Sequence, residues 1–298
     1  MLNKLIIKTM PLVPKPIIHL VAKKYIAGDT LADAVRVTQD FQKLGGMTTI
    51  DVLGEFVTTK ERALHEKEQS KLVLGAILDN SLPTYLSVKP TSLGLGIDTE
   101  FAYNNIKEIL AIAESNGTFV RLDMENSPYT DKTLDLFRRF RADGFMNVGV
   151  VIQAYMRRSW DDIVSIADLN PTIRLCKGIY REAPEIAYQG KDEVRDNFKR
   201  LLRLIFDKGL YVGIATHDDI LLNDAMNEIT KQNLKKEDYE FQMLLGVREE
   251  RRNEILRLGH NLRIYVPFGE DWYGYSTRRL KENPDMAGMI FKAIFLKN

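Results

Sequence analysis

The sequence predicts an α/β protein: a (β/α)8 barrel of the TIM type with an N-terminal helical arm. Three observations lead there. Eight short runs rich in β-branched and apolar residues follow one another from Met47 onward. Charged stretches of helical period separate them, at roughly thirty residues per unit, which is the rhythm of a parallel barrel. Neither G-x-G-x-x-G nor G-x-x-x-x-G-K-[ST] occurs, although an open doubly wound sheet usually displays such a loop. The open sheet remains the competing architecture, and "SLGLGID" (92–98) reads as a Gly-rich turn.

The first segment, "MLNKLIIKTMPLVPKPIIHLVAKKYIAG", is apolar and lysine-bearing, so a signal peptide has to be considered. Lys8, Lys15, Pro11, Pro14 and Pro16 interrupt any apolar core, and no A-x-A-like site follows. The expectation is a helical arm over 1–45 packing on a barrel over 46–298. A peripheral membrane contact through its apolar residues and Lys4, Lys8, Lys23 and Lys24 is the second reading.

The expected strands are "MTTIDVL" (47–53), "TYLSV" (84–88), "TFVRLDM" (118–124), "NVGVVIQ" (147–153), "TIRLC" (172–176), "LYVGIAT" (210–216), "YEFQML" (239–244) and "LRIYVP" (262–267). "YNNIKEILAIAESNG" (103–117) has helical period and ends on Gly117, where a C-terminal cap belongs. "DKTLDLFRRFRADG" (131–144) reads as a helix capped by Asp131 and closed by Gly144.

Composition narrows the function classes. With 298 residues, 45% hydrophobic and 28% charged, the chain is an ordinary folded protein that one large barrel can absorb. A net charge of +1 gives no global field for nucleic acid. The single cysteine, Cys176, excludes an intrachain disulfide and fits a reducing, cytoplasmic setting. No uncharged apolar run approaches the ~18 residues of a membrane span. The four histidines, His19, His65, His217 and His260, are scattered without H-x-H or H-E-x-x-H spacing, so a metal hydrolase is not expected.

In a barrel, function gathers where strands end and the following loops begin. Those positions hold Glu55, Lys89, Asp123, Gln153, Arg174, Lys177, Gly178, Tyr180, Thr216, His217, Gln242 and Tyr265. A charged loop residue is most often merely solvated. Asp123 and Arg174, however, each interrupt an apolar strand near its end, and a charge there must be paired or face a cavity. In "GYSTRRLKENPD", Tyr275, Arg278, Arg279 and Glu282 fall at i, i+3, i+4 and i+7, one face of a helix. That face is either an exposed set of i,i+4 ion pairs or a clamp for an anion, since two guanidiniums can surround one carboxylate.

"YSTRRLKEN" (275–283) resembles the Y-x-x-R-R-x-x-E-N motif of proline dehydrogenases, the flavoenzymes that oxidise L-proline. The resemblance runs in order through "IDVLGEFV", "LSVKPT", "RLDME", "VIQAYMRR", "IRLCKGIYRE", "ATH", "EFQMLLG" and "RIYVPFG", covering roughly 45–290. The length resembles the short bacterial form rather than the fusion with an aldehyde dehydrogenase. The resemblance implies FAD as cofactor, hydride transfer to its N5 and a membrane quinone as acceptor. It implies that Arg278, Arg279 and Lys89 meet the substrate carboxylate, that Glu282 holds an arginine, and that Tyr275, Tyr265 and Leu244 wall the proline pocket. Arg174 would lie near N5, with Met124 and Gln153 at the ring. Lys177, Gly178, Ile179, Thr216 and His217 would hold the ribityl and pyrophosphate. Asp123 would balance the cations, and Glu55 would pair with Arg174 and close the site. Two alternatives stay open: a Schiff-base aldolase using Lys177 or Lys89, which needs a depressed lysine pKa, and a barrel that only binds a ligand.

Overall fold

A computed structural model describes residues 23–273 and 275. Its eight strands are β1 (Met47–Val52), β2 (Thr84–Val88), β3 (Val120–Leu122), β4 (Val148–Gln153), β5 (Ile173–Cys176), β6 (Val212–Ala215), β7 (Tyr239–Leu244) and β8 (Leu262–Phe268). They close in sequence order into a parallel barrel, β8 pairing back onto β1. The helices are α1 (Leu31–Gln42), which precedes β1, then α2 (Lys60–Asp79), α3 (Thr99–Ser115), α4 (Thr130–Ala142), α5 (Ser159–Ile166), α6 (Lys191–Asp207), α7 (Asp219–Lys231) and α8 (Glu249–Arg257). The expected (β/α)8 architecture is the observed one, and the open sheet is excluded.

Differences from the expected bounds have local causes. The third strand starts at Val120 rather than Thr118, because the Thr118 N–H turns back to the Ala113 carbonyl and closes α3. The sixth starts at Val212, because Leu210 N–H is spent on the Ile205 carbonyl at the end of α6. Asp131 is not the cap of its helix. A 3-10 turn over Ser127–Tyr129 runs straight into α4, which puts Asp131 in the first turn, paired with Arg158. Gly117 and Gly144 do follow their helix ends, in the left-handed conformation such ends favour.

The period-2 alternation of each strand separates two environments. One alternate set (Ile50, Leu86, Val120, Val150, Ile173, Ile214, Phe241, Ile264) is fully or almost fully buried and belongs to the apolar layer shared with the helices. The other set lines the barrel interior and is largely polar: Asp51, Ser87, Arg121, Gln153, Arg174, Glu240, Gln242, Arg263 and Tyr265. Hydrogen bonds from β5 to β2 and β7, strands that do not adjoin it on both counts, show that these side chains meet inside the ring. Buried charge costs free energy unless paired, so this interior is there for something other than stability.

Of the expected arm, 1–22 lies outside the described residues. Residues 27–28 bond to the end of β8, through Ala27 N–H to the Pro267 carbonyl (2.9 Å) and Gly269 N–H to the Gly28 carbonyl (3.1 Å). Helix α1 buries Ala34, Thr38 and Phe41, and its Thr38 hydroxyl meets that of Thr48 on β1 at 3.0 Å. Among the described residues no helix is long and apolar enough to cross a membrane.

Candidate active site

At the C-terminal mouth of the barrel, Asp123 is a hub. It follows β3 directly, where its N–H bonds to the Val88 carbonyl and so keeps the strand's direction for one more residue. Its Oδ1 accepts from Arg174 Nη1 at 2.6 Å and from the Ser87 hydroxyl at 2.8 Å. Its Oδ2 accepts from the Tyr265 hydroxyl at 2.7 Å. Four strand ends are thereby tied at one carboxylate. Arg174 also donates from Nε to Gln242 Oε1 at 2.7 Å, and its guanidinium lies 5.2 Å from the centre of the Tyr265 ring. Burial, and then the Asp123 and Asp51 carboxylates, raise the Tyr265 phenol well above its ordinary pKa, so it stays a donor.

Lys89, at the end of β2, donates to both oxygens of Asp51, at 2.7 and 2.8 Å. Burial by itself lowers a lysine pKa, but Asp51, Asp123 and Glu55 outweigh it and hold Lys89 above the usual lysine value. A Schiff-base amine must be neutral to attack, so this environment opposes the aldolase reading for Lys89. Asp51 carries the same signal that singled out Asp123 and Arg174, a charge interrupting the apolar run "MTTIDVL", yet sequence reasoning passed over it. Ser87 and the role of Gln242 were missed as well, since a serine or glutamine in a strand has no such contrast.

The residues expected around a cofactor fall on one side of the mouth. Gln153 closes β4, is almost wholly buried, and donates from Nε2 to the Met124 carbonyl at 3.1 Å. Its Oε1 is buried without a partner among the described residues. Lys177 reaches Asp218 at 3.2 Å, and Asp218 also takes Arg195 Nε at 2.9 Å. Gly178 has φ +98°, and a Cβ there would lie 2.1 Å from the Tyr155 ring, so this close backbone approach excludes a side chain. The Ile179 side chain is exposed beside it. Thr216 is buried and accepts from Asp218 N–H. His217 Nε2 accepts from Leu244 N–H at 2.8 Å, which puts the ring proton of the neutral form on Nδ1. Leu244 and Tyr265 are lateral partners on β7 and β8, side by side at the rim.

The expected partner of Glu55, Arg174, has three other partners in the ring. Arg174 is held by Asp123, Ser87 and Gln242 within the ring, and Glu55 stands on the loop beyond β1. That loop is nevertheless fastened. Phe56 takes φ +52°, rare for a bulky residue, and its N–H bonds to the Thr91 hydroxyl at 2.9 Å. Thr91 in turn gives its N–H (2.9 Å) and its hydroxyl to the buried carboxylate of Glu125, whose pKa burial pushes up to about 7. Tyr275 is buried. Arg278, Arg279 and Glu282 lie outside the described residues.

A profile of the family described as Proline dehydrogenase matches residues 34–291. The chain belongs to the proline dehydrogenase family. It is 37% identical over 279 residues to Proline dehydrogenase 2 of Bacillus subtilis strain 168, covering 94% of this chain and 92% of that protein. It is 32% identical over 277 residues to Proline dehydrogenase of Deinococcus radiodurans, covering 92% of this chain and 89% of the other. Among solved structures, proline utilization A of Bdellovibrio bacteriovorus, inactivated by N-propargylglycine, superposes with a TM-score of 0.83 at 25% identity. That match covers 89% of this chain but 32% of the other, so the proline dehydrogenase fold here corresponds to about a third of that longer protein. The hub of Asp123, Arg174 and Tyr265 therefore stands at the mouth of a proline dehydrogenase barrel.

Proposed function

We propose that this protein is an FAD-dependent proline dehydrogenase that oxidises L-proline to 1-pyrroline-5-carboxylate and passes the electrons to a quinone. The observation that carries the reading is the Asp123 hub, which fixes a buried guanidinium at the barrel mouth of a member of this family. The donor set suits the cofactor. Gln153 presents a buried carboxamide oxygen that wants an N–H, as a flavin ring supplies. Lys177, Thr216, His217 and the close-approaching backbone at Gly178 suit a ribityl chain and pyrophosphate without a dinucleotide fingerprint. Bound FAD supplies a hydride acceptor at its N5.

The protein's own residues bind, orient and adjust charge. Lys89, with Arg278 and Arg279, receives the substrate carboxylate, while Glu282 restrains one arginine. Leu244, Tyr265 and Tyr275 enclose the apolar ring. Hydride leaves the carbon next to nitrogen, and only the neutral amine has the lone pair that drives it out. The clustered cations repel an ammonium and attract the carboxylate, so they lower the amine pKa without a dedicated base. Arg174, held by Asp123, Ser87 and Gln242, sets positive potential where the acceptor gains negative charge. Glu55 closes the loop beyond β1 over the occupied site. The catalytic unit is 46–298; the arm, 1–45, gives a cytoplasmic protein a peripheral hold on the inner membrane face, where a quinone resides.

The deciding experiment is simple. Purified protein should be yellow, and anaerobic proline should bleach it, with product detected as the imine. Colourless protein, or a flavin that proline leaves oxidised, would overturn the reading in favour of a barrel that only binds its ligand.

A further inference from the structure

Beneath the mouth, a second layer of side chains governs where Arg174 can point. Gln242 Oε1 accepts from Arg174 Nε at 2.7 Å, while Gln242 Nε2 donates to Glu240 Oε1 at 2.6 Å. Glu240 Oε1 also accepts from Arg263 Nε at 2.7 Å, and Arg263 Nη1 is tied to the Thr48 carbonyl. Glu240 is 0% exposed and Arg263 2%, so this ion pair sits in the dry floor of the barrel. The amide orientation of Gln242 is not arbitrary. Arginine Nε–H can only donate and an ionised carboxylate can only accept, so a single face of the amide satisfies both neighbours. The neighbouring strand leaves room for this pose. Gly213 pairs with Glu240 in register, and a Cβ on it would lie 2.3 Å from Gln242 Nε2.

We infer that Glu240 is a positioning residue: its buried carboxylate fixes the amide of Gln242, and the amide fixes Arg174 at the barrel mouth. With Nε held by Gln242 and Nη1 by Asp123 and Ser87, the guanidinium plane has no freedom to swing. Replacing Glu240 by glutamine puts a group beside Gln242 that both donates and accepts. The floor then no longer selects an amide face, and only the Arg174 Nε–H opposes the flip. The flipped amide turns its NH2 toward Arg174 Nε–H, two donors oppose one another, and the guanidinium moves. The role of Arg174 in proline oxidation rests on the function proposed above; the geometry of the relay does not.

The test reads Arg174 directly, by the Nε–H resonance of arginine-labelled protein, assigned by its loss in Arg174→Lys. In the parent this proton should exchange slowly with water. Glu240→Gln and Gln242→Leu should each speed its exchange about tenfold or more, and slow flavin reduction at saturating proline by about 10–100-fold, the scale of losing a group that orients a functional side chain. Glu240→Gln leaves buried Arg263 without its counter-ion, a strain on folding, so E240Q with R263M removes both charges together, a replacement buried pairs often tolerate. The exchanged pair E240Q with Q242E places the carboxylate directly on Arg174 and should bring slow exchange back. Unchanged exchange in E240Q, or in E240Q with R263M, overturns the relay, as does a rate loss with no change in exchange. A parent that proline cannot reduce overturns the functional reading alone, because the exchange measurement still decides how Arg174 is held.

Discussion

Replacing Asp123 by alanine removes the one group at which Ser87, Arg174 and Tyr265 converge. Arg174 is 7% exposed, and stripping the partner from a buried charge pair costs about 3–5 kcal/mol. Part of that is recovered, since Gln242 and Ser87 still contact the guanidinium and the Asp123 side chain is 14% exposed. A stability loss of about 2–3 kcal/mol is therefore expected, read as a lower urea midpoint at unchanged slope. The catalytic loss should exceed it. Arg174 and Tyr265 would both lose their fixed direction, and a displacement of ~1 Å near reacting atoms costs on the order of 100-fold. Anaerobic rapid mixing of flavin-loaded Asp123→Ala with saturating proline gives the rate. If stability falls but reduction stays within about threefold of the parent, the hub is only structural and the assignment of Asp123 and Arg174 to the chemistry is wrong.

Arg278→Met and Arg279→Met should each raise KM for proline by tens- to thousands-fold with flavin still bound, since a buried charged hydrogen bond is worth ~2–5 kcal/mol; saturation curves check this, and unchanged values return both to a solvated face. Arg174→Met should lower the flavin reduction potential, because a cation favours the electron-rich reduced form; potentiometry in which the value does not move makes Arg174 a structural ion. Reduction at saturating proline should accelerate with pH over roughly pH 6–10, with an apparent pKa below that of free proline, and Lys89→Met should move that pKa back up by removing positive charge; a flat profile in the parent refutes the electrostatic activation. For Glu125, the folded pKa of about 7 lies above the ordinary 4.5, so the folded state binds more protons between these values and stability declines as pH rises through them. Glu125→Gln should accordingly gain stability relative to the parent as pH is raised from 5 to 8, checked by denaturant titration at each pH, and a pH-independent difference contradicts it.

The barrel was readable because strand and helix periods alternate without interruption from Met47 to Phe268, and each strand's apolar set had to face a helix layer. Strand ends were less readable. Thr118 and Leu210 have strand-like side chains, but their N–H groups close the preceding helices, a backbone commitment that side-chain pattern does not record. Asp123 and Arg174 stood out as charges inside apolar runs, and the structure brings them together at 2.6 Å. Asp51 offered equal contrast, but its meaning depends on Lys89, 38 residues away, and only the register of β1 beside β2 makes them neighbours. The same limit explains Glu55. It stands on the loop beyond β1, and which partners a loop carboxylate meets depends on how that loop folds over the ring.

The hydrogen bonds at Asp123 join residues separated along the chain by 36, 51 and 142 positions. Such contacts form only after long loops have been closed, and the last of them requires β8 to dock beside β1. Until that ring shuts, Arg174 has no complete set of partners and no reason to leave water. The site is thus a property of the finished circle rather than of any arc of it. Two fragments divided between β3 and β5 would each lack half of the hub, a later cut would strand Tyr265 alone, and ligand capture during refolding should lag behind secondary structure, reporting on the closing seam itself.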